Sequence, residues 1–206
     1  MARRSAEDAA KTRQEILESG IKLFAEHGFA NVSTTAIAAA AGVTDGALFH
    51  HFRNKVQLFS VIAETLLTEI HKNIYRAAQK AGNPVDAFMI GAKATLDVSL
   101  DPRNRRIVFI EGPAILGVEK WQEIDRHMGL GLIEGGLLAC AEVEKMPAHI
   151  LKPMVVLAVG TINEIIYALI RSQPGVEAGQ CLGLLHKMLR HWLDTDVKTW
   201  KQSRAS

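Results

Sequence analysis

The sequence predicts an all-α protein of nine helices, with a three-helix amino-terminal head and a larger helical carboxy-terminal part. Ala, Leu and Ile are plentiful while aromatic residues make up only 6% of the chain, which favours helices over strands. Apolar residues recur at helical spacing, first at Ile16, Gly20, Leu23, Phe24 and His27. Gly, Pro and capping Ser/Thr residues stand at the ends of such stretches.

Taken in order, Gly28 supplies a stop for the first helix. Ser33 is placed to cap a short helix over about 34–41 that ends at Gly42. Thr44 caps another over about 45–51, with Asp45 favourably placed in its first turn. A long fourth helix begins near Asn54 and carries Val56, Phe59, Ala63, Leu66 and Ile70 on one face. It runs to about Lys80, where Gly82-Asn83-Pro84 breaks it. Further helices are expected at about 84–99, 104–116, 119–144, 148–172 and 176–197. Pro113 should kink or end the sixth, because proline lacks a backbone donor and clashes with the preceding turn. Composition shifts from mixed and polar before Lys80 to markedly apolar between Ile107 and Ile170. The expected organisation is a flexible arm over 1–10, a helix-turn-helix domain over 11–70 and a larger helical domain over 71–206, with the boundary inside the fourth helix.

The 206 residues are 48% hydrophobic and 22% charged, as expected of a soluble protein with a sizeable core. A formal net charge of +2 is compatible with nucleic-acid binding without demanding it. Cys140 and Cys181 stand far apart with no metal-ligand spacing, which suits buried thiols in a reducing compartment. The stretch MARRSAEDAAKTRQ has no apolar run that would serve as a signal peptide. The longest apolar run, Met154 to Ile162, falls short of the ~18 residues of a membrane span, so a cytoplasmic protein with no membrane partner is expected. GxSxG, GxxxxGK[ST] and HExxH motifs are missing, so no enzyme, catalytic residue or cofactor is expected. His50 and His51 are adjacent on a helix and point apart, which makes them poor joint ligands, and no metal is expected.

Function concentrates between Thr34 and Phe52, where two short helices flank Ala41-Gly42-Val43-Thr44. Ile37, Val43, Leu48 and Phe52 have the spacing to hold this pair against the first helix, leaving the second helix to offer its other face to a major groove. The segments TRQEILESGIKLFAEHGF and TTAIAAAAGVTDGALFHHFRNKVQLF resemble the DNA-binding domain of the TetR family from about Lys11 to Ile62. RRIVFIEGPAILGVEKWQEID and GLGLIEGG are similar to one subgroup of TetR-type carboxy-terminal domains. The resemblance implies phosphate contacts from Thr34, Thr35 and Thr44, and base-edge proximity for Gly46, Ala47 and Leu48. Phe49 stands where the family often has Tyr, His50 matches a groove-facing position, and His51 and Lys55 match backbone contacts. Asp45 replaces a frequent Lys; it either accepts from a cytosine amino group or is a helix-capping charge. Residues 1–60 carry seven Lys+Arg against six Asp+Glu, so Arg53, Lys55 and the arm residues Arg3 and Arg4 are left to supply positive charge, unless the arm makes no contact.

The resemblance further implies a regulator of transcription, a repressor released from operator DNA by a small apolar or amphipathic inducer bound between the fifth and eighth helices. Phe88, Phe109, Trp121, Met128 and Tyr167 are its candidate walls, with Glu111, Asn163 and Glu164 as polar anchors. An unpaired buried carboxylate is costly, so Glu111 needs a ligand or an internal partner such as Arg106 or Arg126. Broad apolar faces over 148–172 (Val155, Val159, Ile162, Ile166, Leu169) and 176–197 (Leu182, Leu185, Leu189, Trp192) are implied to form a homodimer. The alternative is a helical small-molecule-binding protein with a degenerate DNA-binding head.

Overall fold

A computed structural model describes residues 2–125, 131–143 and 148–194, with side chains placed over 7–125, 131–140 and 150–194. Among the described residues there are ten helices and no strand. They are α1 (Ala2–His27), α2 (Thr34–Ala40), α3 (Asp45–His51), α4 (Lys55–Ala78) and α5 (Pro84–Leu100). α6 covers 102–116 as a short α-turn, Pro102–Asn104, a π-helical stretch, Arg105–Glu111, and an α-helical end, Gly112–Leu116. α7 (Val118–Asp125), α8 (Gly131–Val143), α9 (Ala148–Ile170) and α10 (Ala178–Asp194) follow.

The chain divides into two compact units, one built from Met1–Thr68 with Asp101–Ile124, the other from Glu69–Leu100 with Asp125–Ser206. The division falls inside α4, and α6 and most of α7 belong to the first unit. The first unit's core is aromatic: Phe24 and Phe59 meet edge to face at 5.4 Å, and Phe29 lies 5.2 Å from Phe59. Ile16, Ile37, Leu48, Phe52, Leu58 and Ile62 are buried around them. In the second unit α5 packs against α8, α9 and α10. Phe88, Ala92 and Leu96 of α5, Leu137 of α8, Met154, Ala158, Ile162 and Ile166 of α9, and Leu185 and Leu189 of α10 form its core.

Several boundaries differ from the sequence reading. Residues expected as a flexible arm continue α1 back to Ala2, because 2–10 hold good helix formers with neither Gly nor Pro. The segment expected as one helix over 119–144 is described as α7 and α8, on either side of 126–130, which lie outside the described residues. Pro113 does not end α6, which continues until Gly117 adopts φ +81°. The π-helical stretch ahead of it closes i→i+5 hydrogen bonds, and that wider turn relieves the crowding that proline imposes on an α-helix. Residues 150–170 are also more continuously apolar than the run Met154–Ile162 suggests, with mean hydropathy 1.8, enough by length and composition to cross a membrane. Buried Met154, Ala158, Ile162 and Ile166 nevertheless pack this helix into the second unit's core, and a core helix meets the same criterion.

His71, in the part of α4 that belongs to the second unit, has its Nδ1 enclosed without a hydrogen-bond partner. Burial pushes its pKa down from the usual 6.5 to about 4. The unfolded chain therefore takes up a proton below about pH 6.5 that the folded chain refuses until about pH 4, and stability falls across that window as pH drops. A His71→Gln variant is expected to lose less stability than the wild type between about pH 7 and about pH 4.5 in urea unfolding. Equal losses would show that His71 does not carry the acid sensitivity.

Candidate nucleic-acid interface

α2 and α3 are seven residues each, and local hydrogen bonds define every end of the pair. Ser33 Oγ accepts from the Ala36 amide at 3.0 Å, and Thr44 Oγ1 accepts from the Ala47 amide at 3.2 Å. Between them, Gly42 has φ +69°, which an L side chain resists. The Gly42 amide donates to the Ala39 carbonyl and the Val43 amide to the Ala38 carbonyl, closing a Schellman motif. α3 therefore leaves the turn at a set angle. Asn54 Oδ1 then accepts from the Gln57 amide at 2.8 Å and starts α4.

Packing divides α3 into two faces. Leu48 is completely buried and Phe52 nearly so, with the Arg13 guanidinium 5.3 Å from the Phe52 ring. Leu48 is thus a packing residue, and its implied place near base edges is corrected: a side chain with no exposed surface cannot reach a groove. Asp45, Gly46, Phe49 and His50 are exposed, and Ala47 and His51 half-buried. Phe49 presents 49% of its surface, which a ring on a core helix would not. Thr35 is exposed on α2 and Thr34 half-buried. The Thr35 hydroxyl donates to Asp45 Oδ2 at 3.0 Å, so the carboxylate ties the start of α2 to the start of α3. The His51 pKa is held below its usual value, first by desolvation and then by the charges of His50 and Arg13. Its ring thus tends to offer a neutral N–H at physiological pH. Lys55 holds its ammonium 4.3 Å from the centre of the Phe29 ring. The side chains of Arg3 and Arg4 lie outside the described residues.

The residues expected to line a ligand cavity are divided between the two units. Phe109, Glu111 and Trp121 belong to the first unit, while Phe88, Asn163, Glu164 and Tyr167 belong to the second. Met128 and Arg126 lie outside the described residues. Glu111 is corrected from ligand anchor to structural residue: both its oxygens accept from the Phe29 amide, at 3.2 and 3.0 Å. Arg106, one of the two internal partners considered for it, instead donates to the carbonyls of Ala25 and Glu26 at 2.9 and 2.7 Å. The Trp121 ring covers Gly112, where a Cβ would lie 2.5 Å from it. Phe88 is buried against Gly136. Asn163, Glu164 and Tyr167 are exposed, and Glu164 pairs with Arg171 at 2.8 Å, which corrects Asn163 and Glu164 as pocket anchors and Tyr167 as a pocket wall. The second unit has an open groove of about 500 Å³ between the α4–α5 turn, α5 and α10, with Met89, Ile90 and Leu182 between Lys80, Lys93 and His186. Sequence reasoning missed the Arg106 and Glu111 contacts because 80 to 82 residues separate the partners.

A capped, Schellman-turned pair of short helices with one buried and one open face defines the helix-turn-helix class of DNA-binding regulators. The model of bacterial regulatory proteins of the tetR family matches residues 16–62, and that of a tetracyclin repressor-like carboxy-terminal domain matches 85–191. The chain is 31% identical over 159 residues to the HTH-type transcriptional regulator AcrR of Shigella flexneri, covering 73% of this chain and 74% of that protein. It shares its fold with a TetR-family regulator from Pectobacterium atrosepticum, at TM-score 0.76 and 23% identity, over 92% of this chain and 97% of that one. FadR from Bacillus subtilis in complex with stearoyl-CoA has the same fold at TM-score 0.66 and 16% identity, over 88% and 97% of the two chains. The chain belongs to the TetR family and is a DNA-binding transcriptional regulator, in a family of regulators and not of enzymes.

Because the Thr44 cap sets the start of α3, Thr44→Ala is expected to lower unfolding stability by about 1 kcal/mol while Thr44→Ser retains it. Denaturant midpoints check this; an unchanged Thr44→Ala midpoint would mean that the cap hydrogen bond is dispensable.

Proposed function

We propose that the chain is a cytoplasmic repressor that binds operator DNA as a homodimer and leaves it when a small apolar or amphipathic molecule binds the second unit. The observation that carries the DNA part is the division of α3: Leu48 anchors it in the core while Phe49 and His50 stand open beside it. On this reading Gly46, Ala47, Phe49 and His50 face the groove, and Thr34, Thr35, Thr44, His51 and Lys55 lie along its phosphate walls. Asp45 acts through Thr35, orienting the helix pair instead of binding a phosphate, which explains how an acidic residue is tolerated there.

The dimer reading rests on the outer faces of α9 and α10. Val156 is 70% exposed, Leu184 66%, and Leu157 and Tyr167 are also open. A Cβ at Gly160 or Gly183 would meet nothing within 4 Å, so another helix could approach closely there. Two apolar helices with open outer faces suit a four-helix bundle with a second copy, and two recognition helices read enough bases for useful specificity. An amphipathic ligand is supported by the apolar second unit and by the stearoyl-CoA bound in one fold relative. α4, a single helix of 24 residues shared by both units, is the element through which ligand and DNA would influence each other. The reading as a small-molecule binder with a degenerate head is not favoured, because the family model covers the head itself.

In fluorescence-anisotropy titrations, Lys55→Ala is expected to weaken binding to all duplexes alike and reduce the salt slope by about one unit. His50→Ala is expected to flatten base preference instead. A Lys55→Ala variant with altered preference and unchanged slope would reverse these roles. Coupling between the sites is reciprocal: if an inducer weakens DNA binding by some factor, operator DNA must weaken inducer binding by that factor, commonly about 5- to 150-fold. Calorimetric titration with stearoyl-CoA, with and without operator, measures it; equal affinities would exclude the mechanism for that ligand.

A further inference from the structure

α1 ends in a way that requires help from far along the chain. Gly28, at φ +79°, turns the backbone out of the helix, and its amide donates to the Phe24 carbonyl at 2.9 Å. That αL ending leaves the next carbonyls without helical donors, and leaves the Phe29 amide without the acceptor that a Schellman motif would supply. Arg106 donates to the carbonyls of Ala25 and Glu26, and Asn31 Nδ2 donates to that of His27 at 3.0 Å. The Phe29 amide donates to both oxygens of Glu111. Arg106 and Glu111 are five residues apart in the π-helical stretch of α6. On an α-helix that spacing would turn them about 140° apart; the wider π-turn brings them closer to one side. One short segment thus supplies a cation for the carbonyls and an anion for the amide that ends the turn.

The consequence reaches Lys55. With its amide held, Phe29 is locked between Phe24 at 5.7 Å and Phe59 at 5.2 Å, and its ring carries the Lys55 ammonium at 4.3 Å. A ring face attracts a cation only over its centre, so a shift of Phe29 moves or frees the ammonium. Gly28 is part of the same fit, since a Cβ there would lie 2.8 Å from Glu111 Oε1.

We propose that Glu111 is a positioning residue for DNA binding: by holding the Phe29 amide it fixes the ring that aims Lys55 at a DNA phosphate. The inference rests on the DNA-contact reading of Lys55 given above. All members of this chain lie in the first unit.

A double-mutant cycle on the full-length protein tests it, using anisotropy with duplex from upstream of the protein's own gene, over a range of salt. Glu111→Gln keeps an acceptor but loses the charge, and is expected to weaken binding about threefold to tenfold in the wild-type background. In the Lys55→Ala background the same substitution should cost nothing further, because its effect passes through Lys55. Phe29→Leu, which removes the ring and keeps the amide, should show the same dependence on Lys55. Should Glu111→Gln fail to fold by circular dichroism, the Phe29→Leu cycle decides alone. Losses that add to that of Lys55→Ala would overturn the proposal and leave the regulator reading standing. Failure of the wild type to bind any duplex would sink both. A Lys55→Ala loss with no salt-slope change would overturn the phosphate role on which the proposal depends.

Discussion

A helix of seven residues, two turns long, is unstable by itself in water, because nucleation costs more than so few hydrogen bonds return. α2 and α3 are both that short, so the reading head exists only while longer elements hold it. Ile37, Leu48 and Phe52 are the buried residues of this pair, and Phe24 of α1 and Phe59 and Ile62 of α4 are buried in the same unit's core. Burying several such side chains contributes about 1.5–3 kcal/mol each, well beyond what the capping hydrogen bonds of Ser33 and Thr44 supply. Caps and Gly42 set the angle between the helices; the core gives the angle its stability. The exposed residues of α3 can therefore be substituted without loss of the core, while the buried ones cannot.

The same constraint explains why α6 belongs to the first unit. α1 is the principal support of α2 and α3, and it ends at a glycine that leaves three carbonyls and one amide to be satisfied. Arg106, Asn31 and Glu111 satisfy them, so the end of α1 is defined by residues both near and remote in sequence. The π-helical winding of 105–111 follows as a local cost accepted for a useful placement, and it also eases the passage of the helix through Pro113.

What was legible in the sequence was local. Caps, the Gly42 turn and the periodicity of α1 and α4 can all be read within a few residues, and the bounds of α2 and α3 and the start of α4 lie within a residue or two of that reading. The partner of Glu111 was not legible, although the need for one was, since a carboxylate among apolar neighbours announces a partner without naming it. A π-turn leaves no mark in a hydrophobic pattern. α9 misled for another reason: its apolar residues occupy more than one face, so periodicity could not tell the core side from the open side. Asn163, Glu164 and Tyr167, expected at a cavity, are exposed. Composition carries no sign that residues 101–124 cluster with 1–68 in one unit, since the segments are remote in sequence.

In the proposed function the open face of α3 reads DNA in pairs, as part of a two-fold assembly. Hydroxyl-radical footprinting of the full-length protein on DNA from upstream of its own gene tests it most directly. Two protected segments of inverted sequence are expected, their centres separated by about one helical turn of ~34–36 Å or a multiple of it. A single asymmetric protected segment, bound by one chain at saturation, would contradict the claim.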